Sequence, residues 1–413
     1  MLTLNVEQEN AINALRNPEY PYLFITGDAG TGKSTVIQSY LYEEEAAGKK
    51  VLRTASTGYA ATLLNGITYY HAFGLIPGDE FASKTIVIPL LLQNSDIVVI
   101  DEVSMITAEM FDLIFQEIQY INTTCRKTIK LILSGDFFQL PPVNTTGYVN
   151  MHWLFESENF TRYFRYIRLK TKVRSESDKV FSEMLDLAKI GDSGCIDYIN
   201  TACSPTPFPD GTYLCGRRSD ADAICKDFLL KTSGKEYIIP SIIKNADGFE
   251  LERTSSDENT QLENRLILKK GAKIRFTVND NNSWKYVNGT EGIISEISTD
   301  RNENVTNLKI YDSQKQETFS LERVTLPSDR NPKRFISQFP IRLSYAITIH
   351  KSQGMTFDKI NILPAGWEPG QMYVALSRAR SIQDIYLGAK ITADMLKCDP
   401  RVIKYYSNLR YFT

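Results

Sequence analysis

The stretch "YLFITGDAGTGKST" (22–35) constrains this chain more than any other. It opens on an apolar run of the kind buried in parallel sheets, and "GDAGTGKS" (27–34) then fits G-x-x-x-x-G-K-[ST]. Glycines let successive backbone N–H groups curl around an anion, and a helix starting after them adds partial positive charge. A chain that builds this loop must place a strand before it and a helix after it. Lys33 is then suited to bridging phosphates, and the Ser34 hydroxyl to holding Mg²⁺.

Strand and helix signals go on alternating through the first 160 residues. "VLRTAS" (51–56), "DIVVIDE" (96–102) and "KLILSGD" (130–136) read as strands, with helical spacing in "GYAATLL" and over 105–121. Such repetition implies an α/β domain with a mostly parallel sheet. The pattern returns in "YIRLKTKVR" (166–174), in a helix over 178–190 and in "TYLCGRR" (212–218). It resumes in "FPIRLSYAITIHKSQG" and "INILPA". Residues 226–340 differ. "AKIRFTV", "GIISEIS", "NLKIYD" and "ETFSLERV" alternate apolar and polar residues between turn signals. That predicts antiparallel hairpins, a small β-barrel inserted into the second α/β domain.

The 413 residues leave room for two to four domains, and 42% hydrophobic with 23% charged residues is ordinary for a soluble protein. No apolar run has the length of a bilayer span, and "MLTLNVEQEN" has no secretory signal pattern. The expectation is no membrane and no secretion, hence a cytoplasmic protein in a prokaryotic or viral setting. The six cysteines contain no C-x-x-C pair, which favours free thiols in a reducing compartment. A net charge of −2 does not by itself call for a polyanionic partner. Locally, however, 162–174 holds six Lys/Arg and no Asp/Glu, a candidate surface for phosphates.

Three more segments carry chemistry. In "VVIDEVSM" (98–105), Asp101 ends a buried strand and can hold the magnesium shell, while Glu102 can polarise an attacking water. In "SGDFFQLPPV" (134–143), Asp136 and Gln139 lie past another strand, at the edge where such sheets bind ligands. Gln139 can contact both a γ-phosphate and the water. Gln8, in "EQENAINAL", is a weaker candidate for reading an adenine edge; a solvated helix glutamine is the plainer account.

"GDAGTGKST", "TASTGYAA", "IDEVSM", "GDFFQLPPV", "TIHKSQGMT" and "YVALSRAR" stand here in the order seen in superfamily 1 DNA helicases. The chain most resembles their Pif-one-type branch, near RecD, from about Leu4 to Gly388. This resemblance implies two tandem RecA-like P-loop domains with a small wedge and an inserted SH3-like β-barrel. The implied boundaries are 1–165 for the first domain, with the wedge at about 62–92. The second domain takes 166–225 and 341–413, and the barrel 226–340. ATP with Mg²⁺ would sit between the two domains, against Gly27, Ala29, Gly30, Thr31, Gly32, Lys33, Ser34, Thr35 and Asp101, with Gln8 and Gly354 adding contacts. Arg378 matches the family's arginine that meets charge developing on the γ-phosphate. Arg174 matches the earlier such arginine, although Ser175 replaces the glutamine that normally follows. Lys33, Glu102, Gln139, Arg174 and Arg378 are thus the implied catalytic set, completed only when two domains meet.

For single-stranded DNA the resemblance implies Ser56, Thr57 and Gly58, then Thr68, His71 and Phe73, then His350, Lys351, Ser352 and Gln353. One residue more than the family pattern separates Thr68 from His71. The aromatics of "GITYYHAF" suit base stacking or core packing equally. The implied activity is ATP-driven 5′-to-3′ translocation and unwinding by a monomeric motor. Its substrates would be single strands, single-/double-strand junctions, and G-quadruplexes or RNA–DNA hybrids, in replication, repair, recombination or telomere maintenance. An RNA helicase of the same superfamily and an ATP-gated binding switch without unwinding are the alternatives. Lys33→Ala is expected to abolish ATP turnover while DNA affinity persists, as read by phosphate release and strand binding. Loss of folding instead would overturn the reading of the loop.

Overall fold

The computed structural model describes residues 4–75, 89–142, 152–175, 177–255, 257, 259, 261–280, 285–312, 315–328, 331 and 333–409. The phosphate loop follows β1 (Tyr22–Gly27), which is buried along its whole length. Around β1 lie β2 (Val51–Ala55), β3 (Ile67–Thr68), β4 (Ile97–Asp101), β5 (Lys130–Gly135) and β6 (Arg165–Leu169), in the order β3-β2-β4-β5-β1-β6. Every neighbouring pair runs parallel, so the carboxyl ends of all six strands share one edge. Ligands of such sheets bind along that edge.

The helices follow from local chemistry. α1 (Val6–Arg16) starts with a capping box in which Asn5 and Gln8 satisfy each other's backbone N–H groups. Its Ala11, Ile12 and Leu15 pack with Val36, Ile37, Tyr40 and Leu41 of α2 (Lys33–Ala46). The helix expected over 105–121 is Ala108–Thr124, because Val103–Met105 forms a 3₁₀ turn and Thr107 caps the helix behind it. β6 differs from the expected plan, in which 166–225 opens the second domain. It pairs instead with β1, Ile25 opposite Ile167, as the edge strand of the first sheet. An alternating strand signal says which face is buried, not which strand it will join.

Strands Thr212–Cys215, Ile360–Ile362 and Ile385–Leu387 pair in parallel, and helix Lys179–Ile190 is capped by Asp178. The chain forms two compact units, one of Met1–Gly216 with Thr348–Thr413, the other Arg217–Ile347. The second unit has antiparallel sheets of five, four and two strands. Its core gathers Leu268, Ile274, Ile294, Ile310 and Phe339. Of the expected wedge at 62–92, residues 76–88 lie outside the described ones. Among the described residues no helix is long and apolar enough to cross a membrane.

An aromatic cluster locks the first sheet to a late segment of sequence. Phe160 touches the rings of Phe24, Phe111, Phe137, Phe164 and Tyr166. Helix Pro400–Asn408 then docks on the same surface. Tyr405 stacks on Phe155 at 4.4 Å and Tyr406 on Phe138 at 4.8 Å, while Trp153 Nε1 donates to Asp399 at 2.9 Å. Phe160 is fully buried, so Phe160→Ala should cost about 3–5 kcal/mol, seen as an earlier denaturant midpoint for the unit that contains it.

Candidate active site

The loop glycines are held by close approaches that admit no side chain. A Cβ on Gly30, at φ +82°, would lie 2.5 Å from Arg174 Cβ. The main-chain N–H groups of Val173 and Arg174 both donate to the Gly30 carbonyl, at 2.9 and 3.1 Å. Gly32, at φ +85°, begins α2, and a Cβ there would meet Gln8 Nε2 at 2.4 Å. Gln8 is buried and donates to the Thr31 carbonyl at 3.1 Å, while its Oε1 accepts from Asn5. It is therefore no solvated helix glutamine: it braces the loop from behind. Thr31 is buried, and its hydroxyl donates to Asp28 O. Lys33 Nζ donates to the carbonyls of Gly27 and Asp28, at 2.7 and 3.1 Å.

A cavity of about 480 Å³ opens over the loop. Ala29, Gly30, Gly32, Lys33, Ser34 and Thr35 line one side of it; Asp101, Glu102, Gln139, Arg174, Gly354 and Arg378 also border it. Of the expected nucleotide residues, Gly27, Thr31 and Gln8 stand behind the lining. Ser34 Oγ donates to Asp101 Oδ2 at 2.9 Å, so a hydroxyl and a carboxylate converge as a divalent cation requires. Glu102 adopts a left-handed backbone (φ +55°), a strained conformation for this residue type. Burial first and Asp101 second raise its carboxyl pKa, opposed by Lys33 and Arg378. Asp136 is raised in the same way, by burial and then by Asp28. Gln139 Nε2 lies 3.4 Å from Asp136 Oδ2, and among the described residues its buried Oε1 has no hydrogen-bond partner.

Both arginines reach this cavity. Arg378 is 1% exposed and is fixed by its own turn and by the loop at 352–355: Nε donates to Val374 O, Nη1 to Ser352 O and Met355 O, Nη2 to Ser377 Oγ. Burial pulls its pKa below the usual value, and the charge of Glu102 pulls back. Arg174 donates to Ser377 O at 3.0 Å; burial, then the neighbouring Arg378, push its pKa down to about 10. Both cations border the cavity that the phosphate loop and Glu102 also line.

The strand-binding set divides. His71 and Lys351 are exposed, and the half-buried His350 pairs with Glu368 at 2.8 Å. Thr57 and Thr68 cap short helices, with Gly58 at the start of the first. Ser56 donates to the Glu102 carbonyl at 2.7 Å. Three of the expected residues are buried. Phe73, at 1% exposure, is packed in the core. Ser352 is fully buried and donates to Ile349 O. Gln353, also fully buried, donates to Glu102 Oε2 at 3.1 Å and Ser104 Oγ at 3.0 Å.

Sequence reading missed several positioning residues. Tyr373 accepts from the Ala29 N–H at 3.0 Å and donates to Asp136 Oδ2 at 3.2 Å, joining helix Gln371–Leu376 to the phosphate loop. Burial and the nearby carboxylates raise its pKa well above the ordinary value, so it stays a phenol. Lys189 donates to Asp28 at 2.7 Å and to Asp186 at 3.0 Å. The Tyr406 hydroxyl sits between Thr26 Oγ1 at 2.7 Å and the Phe137 N–H at 3.1 Å. Gly370, at φ +75°, leaves no room for a Cβ beside the carbonyls of Phe138 and Gln139, both 2.5 Å away. Tyr373 lies within "YVALSRAR", so its proximity to Arg378 was the one available signal.

A family model described as "PIF1-like helicase" matches residues 3–192. The ATP-dependent DNA helicase Pif1 of Bdellovibrio bacteriovorus is 32% identical over 423 residues, covering 98% of this chain and 92% of that protein. The human ATP-dependent DNA helicase PIF1 is 30% identical over 94% of this chain, which spans 61% of the human length. Among solved structures, Pif1 helicase from Candida albicans superimposes with a TM-score of 0.83 at 26% identity, over 99% of this chain and 100% of that one. Pif1 helicase from Bacteroides, in complex with ADP-AlF3 and ssDNA, gives 0.78 at 26% identity over 98% and 97%. Tyr373→Phe keeps the ring but removes the link between Ala29 and Asp136. It should slow ATP turnover about tenfold with nucleotide affinity little changed, measured by steady-state phosphate release.

Proposed function

This chain belongs to the PIF1-like helicases and has their RecA-like α/β fold, and we propose that it is an ATP-dependent DNA helicase moving 5′-to-3′ on single-stranded DNA. The observation that carries the reading is the meeting of Lys33, Glu102 and Arg378 in one cavity, from opposite ends of the sequence. Phosphoryl transfer is catalysed mainly by positioning and by charge set against the developing transition state. A buried guanidinium fixed by four acceptors is pre-organised for that task and reorganises little during reaction.

On this reading, Lys33 exchanges the carbonyls of Gly27 and Asp28 for phosphate oxygens. Glu102, held basic by its raised pKa, orients the water and takes its proton. Gln139 turns its unpartnered Oε1 toward that water, and Arg174 and Arg378 face the γ-phosphate. Ser34 and Asp101 fit Mg²⁺, which when bound supplies positive charge to the β- and γ-phosphate oxygens. Gln353 links the strand-facing loop to hydrolysis, because it bonds Glu102 two residues after Lys351. A strand gripped by His350 and Lys351 would thereby shift the base. Thr57, Gly58, Thr68 and His71 complete the track from the first sheet.

The reading takes Arg217–Ile347 as the counterpart of an inserted SH3-like barrel and 62–92 as the wedge, and it envisages a monomeric motor. G-quadruplexes and RNA–DNA hybrids are proposed substrates alongside forked duplexes. The test is a duplex with a single 5′ or 3′ tail. Strand release that needs ATP and a 5′ tail supports the proposal. ATP-dependent binding without release would instead favour a switch, and release from 3′ tails alone would reverse the polarity. Arg378→Ala should bind ATP yet hydrolyse it about 10³-fold more slowly; near-normal turnover would reject its role.

A further inference from the structure

The basic run at 162–174 is divided by the fold. Arg174 enters the nucleotide cavity, Lys172 pairs with Asp186 at 2.6 Å, and Arg168 lies over the Tyr406 ring at 5.8 Å. Lys170 is exposed, and Arg162 and Arg165 remain, where helix Glu158–Tyr163 and β6 meet helix Pro400–Asn408. There Arg162 and Arg165 line a second cavity, about 780 Å³, together with Lys404 and without Lys170. Among the described residues Arg162, Arg165 and Lys404 form no ion pair, and all three are exposed. The one arginine of the cavity with acidic partners is Arg401, held by Glu156 and Asp399. Half-buried Tyr166 and Tyr405 complete the wall.

We propose that this cavity is a second nucleic-acid site, which takes the phosphates and one base of a single strand away from the motor's track. Three cations around one concavity repel one another unless an anion enters. Aromatic side chains beside them give a base a surface to stack on, which an acidic peptide would not need. The location makes the site separate. β6 is one edge of the sheet, while at the other Ser56, proposed to face the strand, follows β2 and Thr68 ends β3. Four strand spacings, about 19 Å, lie between β2 and β6. A strand long enough to pass both edges would be held twice, and each hold would raise the effective concentration at the other. The inference rests on the motor reading only for the identity of the polyanion.

The experiment compares the full chain with Arg165→Glu/Lys404→Glu by fluorescence anisotropy, on oligo-dT of about 30 and about 8 nucleotides. The expected result is an affinity for the longer strand lowered about tenfold at low salt. Its salt slope should fall by about 1.4, at roughly 0.7 for each phosphate no longer neutralised, and Arg165→Lys/Lys404→Arg should restore both. Turnover saturated with the shorter strand should stay within about twofold of the unsubstituted chain, because the nucleotide cavity is untouched. Unchanged affinity and slope for the longer strand would overturn the proposal. So would failure of the charge-conserving variant to restore them, or a loss confined to polyglutamate binding. If the unsubstituted chain shows no strand-stimulated turnover, the motor reading fails, while the binding comparison still decides the cavity.

Discussion

Burying a guanidinium in a folded protein costs several kcal/mol unless other groups replace its water, and Arg378 is 1% exposed. Backbone carbonyls of Val374, Ser352 and Met355 and the Ser377 hydroxyl supply those replacements. None of these is a carboxylate, so its charge is not cancelled at contact range and acts outward, on Glu102 and the cavity. Much of the surrounding architecture serves to hold that cation in place. The turn at Gly370 starts its helix against the Phe138 and Gln139 carbonyls, Tyr373 ties the same helix to Ala29 and Asp136, and Arg174 is clasped to Gly30 by main-chain bonds.

The acidic groups are balanced in the same manner. Asp28, Asp136, Glu102 and Asp101 all border the phosphate loop, which would be costly without Lys33, Lys189 and Lys172 among them. A nucleotide brings further negative charge, and Lys33 can answer it by leaving two neutral carbonyls rather than a carboxylate. That exchange is cheap, because neutral acceptors hold an ammonium less firmly than ionised ones.

Coupling between the proposed strand track and the nucleotide is equally physical. Ser56 donates to the Glu102 carbonyl and Gln353 to its carboxylate, so one strained residue is gripped from two loops. Both loops carry residues expected at the strand. A shift in either changes the hydrogen bonding of the group proposed to activate water, with no longer pathway needed.

By itself, the sequence determined the local chemistry. "GDAGTGKS" could only be a glycine loop between strand and helix, "DIVVIDE" a buried strand, and 226–340 a region of antiparallel pairing, since each depends on near neighbours and short-range periodicity. The resemblance in motif order also placed Arg174 and Arg378 with the phosphate loop, and both border the cavity over it. Tertiary structure decided what depends on partners distant in sequence. It sent β6 to the first sheet, buried Phe73, Ser352 and Gln353, and turned Gln8 from a surface residue into a brace. It also brought Tyr373 and Tyr406 to the strand ends that carry the site. A polar side chain looks alike in sequence whether it meets solvent or a carbonyl hundreds of residues away; only packing fixes which, because burial and hydrogen-bond partners are properties of the assembled fold.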